Sequence, residues 1–308
     1  MSIAFVACVE PGRLESEAVL LFRSIRRYAG RYRDARIASL QPRCEMPLAA
    51  ETLAAFRELD VEHRALKLNT ELPDYPVGNK VFASAWAEEN LDEETLVFVD
   101  SDSLFTGEPT DLDLDSQRDS RWDAAVRPVN QKNAGSTGPD DRKDRYWLRL
   151  YELCGVSPGP FVDTAVSRER IRGYWNAGLV AARRSAGLFG RWRDNLRRLV
   201  AASHLPWNGM KNLDQLALAA ALAAAPGRVR VLDGRYNYPL PKRDRLTEPL
   251  RSAPLEALVH VHYFRWLHQP GFLDRLVPPL AADSEIAEWL AGALPLEPRI
   301  DDPARKTR

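Results

Sequence analysis

Two aspartates one residue apart, Asp100 and Asp102, close the apolar run Thr95-Leu96-Val97-Phe98-Val99. Two carboxylates at the carboxyl end of a buried strand can hold a hard divalent cation, which most often serves phosphate chemistry. A solvated acidic turn is the alternative reading of this segment. His260 and His262 sit at i and i+2 of another strand-like stretch, so both rings leave the same face. An imidazole beside carboxylates suits Mn2+ better than Mg2+, because nitrogen donors favour later first-row metals. One of the two rings reads equally well as a hydrogen-bonded core histidine. Lys80 stands near the start of a helical stretch. The helix dipole does not help a cation there, so a nearby anion would account for it. Asn176-Ala177-Gly178 would let a ligand approach the backbone closely while the amide fixes a polar group, or is a turn entering a strand. Asp214-Gln215 opens a helix behind Asn212, where an acid is favoured for dipole reasons alone.

These residues need a frame. Ile3 to Val9 reads as a β-branched strand, and Glu15 to Tyr28 as an amphipathic helix with Val19, Leu20, Phe22 and Ile25 on one face. A weak strand at 36–40, a helix at 49–59 and a strand at 61–66 follow. A Pro/Gly loop at 70–78 leads to Asn79, read as the cap of a helix running to Asn90. The alternation predicts a parallel, doubly wound α/β sheet. Trp122 to Val129 reads as a further strand. Residues 130–144 read as a flexible polar loop, 146–154 as a short helix with an aromatic face, and 155–160 as its break. An insertion of that kind is often a lid or binding loop. Beyond it the pattern predicts strands at 175–181, 229–232 and 258–262 and helices at 191–202 and 213–224, with a frayed tail from Leu294.

Composition narrows the function. Lys+Arg and Asp+Glu are both 43, so the formal net charge is zero and the basic footprint of a nucleic-acid binder is missing. Cys8, Cys44 and Cys154 are far apart and form no C-x-x-C pair, which argues against zinc or a disulfide framework and suits reduced thiols in a cytoplasm. The pattern shows neither a signal peptide nor a stretch as long as a membrane span.

The motifs fall in an order that resembles the nucleotide-sugar-dependent glycosyltransferases of the GT-A fold, most closely the glycogenin and bacterial lipopolysaccharide galactosyltransferase group (glycosyltransferase family 8-like). Four segments carry the likeness: Asn79-Lys80 with Trp86 ahead of Val97-Phe98-Val99-Asp100-Ser101-Asp102; Tyr174-Trp175-Asn176-Ala177-Gly178-Leu179-Val180; Asp214-Gln215; and Val259-His260-Val261-His262-Tyr263. The resemblance implies a Rossmann-like, mainly parallel central sheet flanked by helices, with a long insertion after the D-x-D strand. It implies one domain over 1–293: a nucleotide-binding half at 1–108, an acceptor-side insertion at 109–170, and an acceptor and metal-closing half at 171–293, with 294–308 as tail. It also implies Asp100, Asp102 and His262 as ligands of Mn2+ or Mg2+. Val9, Lys80, Asp100, Ser101, Asn176, Ala177, Gly178, Arg265 and His268 would bind the donor, and Asp214 and Gln215 would lie nearest the chemistry. Two departures stand out. Arg265 and His268 replace the family's glycine and lysine, and Glu10-Pro11-Gly12 stands where a tyrosine is expected near the base.

The implied function is metal-dependent transfer of a hexose from a nucleotide diphosphate sugar, UDP-linked, to a hydroxyl acceptor, with retention. Gln215 fits retention, because an amide is neither a strong nucleophile nor a base. Asp100-Ser101-Asp102-Ser103-Leu104 also resembles the first motif of haloacid-dehalogenase-like phosphatases, with Asp100 as nucleophile. A GT-A-like binding subunit without activity is the third reading.

Overall fold

In a computed structural model, which describes residues 3–114, 122–207 and 209–297, the chain forms a mainly parallel seven-stranded sheet flanked by helices. This is the α/β class the sequence predicts. In chain order the elements are β1 Ile3–Cys8, α1 Arg13–Tyr28, β2 Arg36–Gln41, α2 Ala50–Glu58, β3 Val61–Ala65, α3 Asn79–Asn90, β4 Thr95–Val99, β5 Ser103–Phe105 and β6 Ala124–Pro128. They continue with α4 Asp144–Cys154, β7 Phe161–Asp163, β8 Arg170–Arg172, β9 Trp175–Arg183, α5 Leu188–Ala201 and α6 Leu213–Ala223. Then come β10 Val229–Val231, β11 Tyr238–Pro239, β12 His260–His262 and α7 Glu285–Gly292. No helix among the described residues is long and apolar enough to cross a membrane.

The chain divides into two compact units, each built from separated stretches. One comprises Ile3–Leu68, Val99–Thr110 and Asp233 onward, and is called here the Asp102 unit. In it β1, β2 and β3 pair in parallel. Helix α1 buries Val19, Leu20, Phe22 and Ile25 and leaves Arg23 and Arg27 in solvent, as its apolar spacing requires. Phe22 meets Phe56 of α2 edge-on at 5.2 Å. A second, three-stranded sheet runs in the order β11-β12-β5.

The other, the Asp214 unit, comprises Asn69–Phe98 and Asp111–Leu232. Its β10 pairs with β6 in parallel, and β6 pairs with β9 antiparallel. Helices α3 and α6 each pack on α5, and α6 lies against β9. Trp192 and Leu196 of α5 and Leu216 of α6 are fully buried there.

Several elements differ from the expectations. Gly78, not Asn79, is the cap residue of α3. Asn79 turns its side chain to Asn69, whose Nδ2 donates to Asn79 Oδ1 at 2.7 Å. The stretch 130–144 is tied down: Lys132 pairs with Asp141 at 2.5 Å, and Arg172 donates to buried Asp144 at 2.5 and 3.0 Å. The insertion carries helix α4, ended by Gly155 in the left-handed region (φ 67°), and the hairpin β7–β8. Strands of two or three residues are too short to show an alternation, which is why β5, β7, β8 and β11 escape a sequence reading. Helix α7 does carry a signal, since Ser284 caps it by accepting from Ala287 N at 3.0 Å. The first residues of the expected tail are docked, with Leu296 N donating to Leu267 O at 3.2 Å. Residues 298–308 of that tail, and 115–121 of the insertion, lie outside the described residues.

Candidate active site

Within the Asp102 unit, β12 brings a late histidine to the early aspartates. It runs antiparallel to β5 with His262 opposite Ser103, and Tyr263 N extends the ladder by donating to Asp102 O at 3.1 Å. His262 Nε2 thereby lies 3.0 Å from Asp102 Oδ1. One ligand atom each from Asp100, Asp102 and His262 all fall within 4.8 Å of one another. The ring of His262 is fixed on two further sides. Phe264 stacks on it at 4.2 Å, and Asn237 Oδ1 stands 3.0 Å from Nδ1. An amide oxygen can only accept, so Nδ1 carries a proton on the Asn237 side and Nε2 is the nitrogen turned to the carboxylate. A neutral ring offers Nε2 there as a ligand atom, and a charged ring donates from it to the carboxylate. A 3.0 Å edge is also the spacing of adjacent ligands in an octahedron with bonds of about 2.1 Å. The residues therefore fit a divalent metal, and the mix of carboxylate and imidazole favours Mn2+ over Mg2+.

His260 takes the other of the two histidine roles. It is fully buried, its Nε2 lies 2.9 Å from Ser103 Oγ, and its ring meets Phe105 at 4.8 Å. Ser103 Oγ itself donates to Asp100 O at 2.6 Å, so His260 is the donor to Ser103. Burial, and then the neighbouring His262, hold His260 far below the usual histidine range, as a neutral ring. It locks the turn that carries Asp100 and Asp102.

Other donor candidates in this unit have varied surroundings. Val9 is buried just past β1 and donates its N–H to Leu40 O at 2.9 Å. Ser101 is buried, and its carbonyl accepts from Tyr263 at 3.4 Å. Arg265 is exposed on the turn before residues 266–268. His268 is engaged at both ring nitrogens, by Leu296 O at 2.5 Å and by Glu17 Oε1 at 2.9 Å. Glu10, where the resemblance expects a tyrosine, is a residue the sequence reading passed over. Burial pushes its carboxyl up to about 7, against the pull of Arg43, whose N–H donates to Glu10 Oε1 at 3.2 Å.

The Asp214 unit holds a second constellation. Asp214 lies in the first turn of α6 behind Asn212, whose side chain makes no cap bond. Its carboxylate Oδ1 accepts from the Tyr75 hydroxyl at 3.0 Å, and its own N–H donates back to the Tyr75 oxygen at 3.0 Å. Lys80 Nζ stands 4.0 Å from Oδ2 and 5.6 Å above the Phe98 ring. The Asp214 carbonyl accepts from Trp192 Nε1 at 2.7 Å. Burial and then the Asp214 charge hold the Tyr75 phenol above its usual range, so it stays a donor. Gln215 follows on α6, half-buried. On β9, Asn176 Oδ1 accepts from Gly178 N at 2.8 Å. Here the pairing with β6 jumps from Val126–Val180 to Pro128–Trp175, a bulge centred on Asn176, Ala177 and Gly178. Pro128 has no N–H to give the ladder, which helps the strand part there. Tyr75, Trp192 and Asn237 were missed in the sequence. Tyr75 sits in a proline-flanked loop that reads as a spacer, and Asn237 precedes a two-residue strand.

The sequence of residues 5–226 matches the Rhodobacterales glycosyltransferase domain family. The chain belongs to that family. The match includes Asp100, Asp102, Asn176 and Asp214 and ends before His262. This glycosyltransferase shares the GT-A fold with several solved structures. The bifunctional glycosyltransferase WbbM, in its apo form, aligns at a TM-score of 0.55 and 13% identity, over 95% of this chain and 52% of that one. The galactosyltransferase LgtC, solved with donor and acceptor sugar analogues, aligns at 0.52 and 15% identity, over 95% and 96%. GlyE of Streptococcus pneumoniae TIGR4 aligns at 0.50 and 16% identity, over 86% and 55%. The chain thus spans about half the length of WbbM and GlyE. No curated protein matches the sequence. Membership of a glycosyltransferase family leaves the phosphatase alternative without support.

Proposed function

We propose that residues 1–293 act as one catalytic domain that transfers a hexose from a UDP-linked sugar to a hydroxyl acceptor, with Mn2+ or Mg2+ and with retention at the anomeric carbon. The observation that carries the reading is the approach of His262 Nε2 to Asp102 Oδ1 at 3.0 Å beside Asp100, with Asn237 setting the tautomer. A bound divalent ion would supply Lewis-acid neutralisation of the departing diphosphate without moving a proton. Asp100, Asp102 and His262 would hold it, and Asp100 with Ser101 would also meet the nucleotide. Lys80 adds a fixed cation for the diphosphate, while Arg265 and His268 occupy the positions of the usual glycine and lysine.

Asp214 is buried and already bonded to Tyr75, which suits holding sugar hydroxyls better than attacking carbon. Gln215 offers an amide that neither attacks nor takes a proton. With no free carboxylate assigned as nucleophile, the acceptor oxygen bonds to the anomeric carbon on the face the diphosphate leaves. The acceptor proton then passes to the departing diphosphate oxygen. LgtC, solved with donor and acceptor sugar analogues, supports a donor–acceptor chemistry on this fold. The three cysteines, none of them in a disulfide, agree with a cytoplasmic setting.

The test is calorimetric binding of UDP, GDP, CDP and dTDP, each with Mn2+ and with EDTA, to wild type and to Asp102→Ala. Metal-dependent binding of UDP that the variant loses is the expected result. Binding of none of the four would overturn the reading. Tight UDP binding with no sugar transfer to any acceptor would replace the enzyme by a binding subunit. Preservation or inversion of the anomeric proton coupling in the product decides the stereochemistry.

A further inference from the structure

The Asp214 unit contains a corner that the proposed donor chemistry does not use. Arg142, Lys143, Tyr146 and Trp207 line a cavity of about 360 Å3, inside the usual range of roughly 300–1,000 Å3 for small-ligand sites. Two of its walls are aromatic. Tyr146 and Trp207 meet at 6.1 Å with planes 77° apart, so their faces form a right-angled step. Tyr146 is held rigidly: His204 stacks on it at 4.1 Å and 12°, the Tyr146 hydroxyl donates to His204 O at 3.2 Å, and His204 Nε2 lies 3.0 Å from Tyr146 O. Trp207 is 58% exposed, far more than a core tryptophan.

The other two walls are cationic. Lys143 Nζ stands 4.5 Å from the Trp207 ring centroid and also donates to the Asn133 carbonyl, so its charge is fixed at the mouth of the step. Arg142 is exposed beside it. The neighbouring acid, Asp141, is already neutralised by Lys132 at 2.5 Å and accepts from Thr137 N at 3.0 Å. Glu169, the other acid near Lys143, accepts from Ser167 at 2.6 Å. Arg142 and Lys143 thus bring two cations to the aromatic step, with Asp141 paired by Lys132 and Glu169 bonded to Ser167. The buried Tyr174 hydroxyl, which has no hydrogen-bond partner among the described residues, lies within electrostatic reach of both Asp214 and Tyr146. The step and the Asp214 cluster belong to one unit.

Sugar rings present flat C–H faces that stack on aromatic rings, and a carboxylate or phosphate on the sugar would meet Arg142 and Lys143. We propose that this corner binds the acceptor, and that the acceptor is an anionic saccharide whose ring lies on Trp207 or Tyr146 and whose charge faces Arg142 and Lys143. The proposal rests on the glycosyl-transfer reading and deepens it by naming the acceptor class.

The test follows tryptophan fluorescence and calorimetry of the full chain with four probes: cellobiose, cellobiouronic acid, glucose 6-phosphate and inorganic phosphate. At least tenfold tighter binding of one of the charged sugars than of cellobiose, with no comparable binding of phosphate alone, is expected. The two charged sugars separate a carboxylate acceptor from a phosphorylated one. Arg142→Gln, at an exposed position where folding is not at stake, should remove most of that tenfold preference. Trp207→Ala should weaken neutral and charged sugars together. Equal affinity for cellobiose and its acid would overturn the proposal, as would phosphate binding as well as the sugars, or unchanged binding in both variants. UDP calorimetry on wild type tests the donor reading separately. Saccharide binding without UDP binding keeps a saccharide site and sinks the transfer reaction, while the reverse sinks only the acceptor assignment.

Discussion

Asp102 and Asp214 are both acids beside a nitrogen base, and their surroundings differ in kind. The Asp102 side chain is 22% exposed and faces Nε2 of His262, whereas Asp214 is 3% exposed and held by Tyr75 and Lys80. The first leaves its carboxylate partly open, with an imidazole nitrogen and a second aspartate at hand. The second is already satisfied and rigid. On the proposed function the Asp102 cluster would exchange a ligand and the Asp214 cluster would hold a fixed polar wall. Removing a group should therefore change binding in the first and positioning in the second.

The largest effect is expected from Asp102→Ala. It removes a hard oxygen donor, and sugar transfer should fall by about 10^3-fold or more, with Mn2+ binding by calorimetry lost as well. Retained Mn2+ affinity would break the comparison at its first term. Asp214→Asn should lower kcat/KM by about 10^2-fold through misplacement of the sugar, with Mn2+ affinity kept. A parallel loss of metal binding would show that the two acids are not separate in function. Asn237→Ala removes the partner that sets the His262 tautomer, and Mn2+ affinity should drop by about 10–100-fold without unfolding. An unchanged affinity would mean that Phe264 alone orients the ring.

Stability changes are smaller. Tyr75→Phe deletes a hydrogen bond to a buried carboxylate, and should cost about 1–2 kcal/mol in denaturant unfolding. Glu10 offers an acid of a third kind, nearly buried beside Arg43, with a carboxyl raised to about 7. Its folded form holds a proton that the unfolded form releases near 4.5, so stability falls as pH rises between those values. Wild type should lose on the order of 2 kcal/mol more than Glu10→Gln across that window in thermal unfolding. Identical pH profiles would remove Glu10 from the comparison.

Much of the frame was readable in the residues. The β-branched runs of β1 and β4 and the apolar stripe of α1 place themselves, and the meeting of Asp100, Asp102 and His262 follows from motif order. What escaped was fixed by long-range contacts. Asp144 and Arg172 are 28 residues apart, and their pairing organises an insertion that looks like loose loop in sequence. Asn237 and Tyr75 act through the strands and helices they lean on, and no local pattern marks them. His268 looked like a diphosphate contact by position, and its two ring nitrogens are taken up by Glu17 and Leu296.

The antiparallel pairing of β5 with β12 has a consequence for synthesis. Asp102 and His262 are separated by 160 residues, so a ribosome working at about 5–20 residues per second makes the second roughly 8–32 s after the first. Throughout that interval β5 has no β12 to pair with, and the nascent chain presents two aspartates without their imidazole. Most of the Asp214 unit, whose last stretch ends at Leu232, is translated by then. On the proposed function, metal capture by all three ligands must wait until His262 has been made, and a chain stopped after residue 226 would carry the family's whole matched region without that histidine.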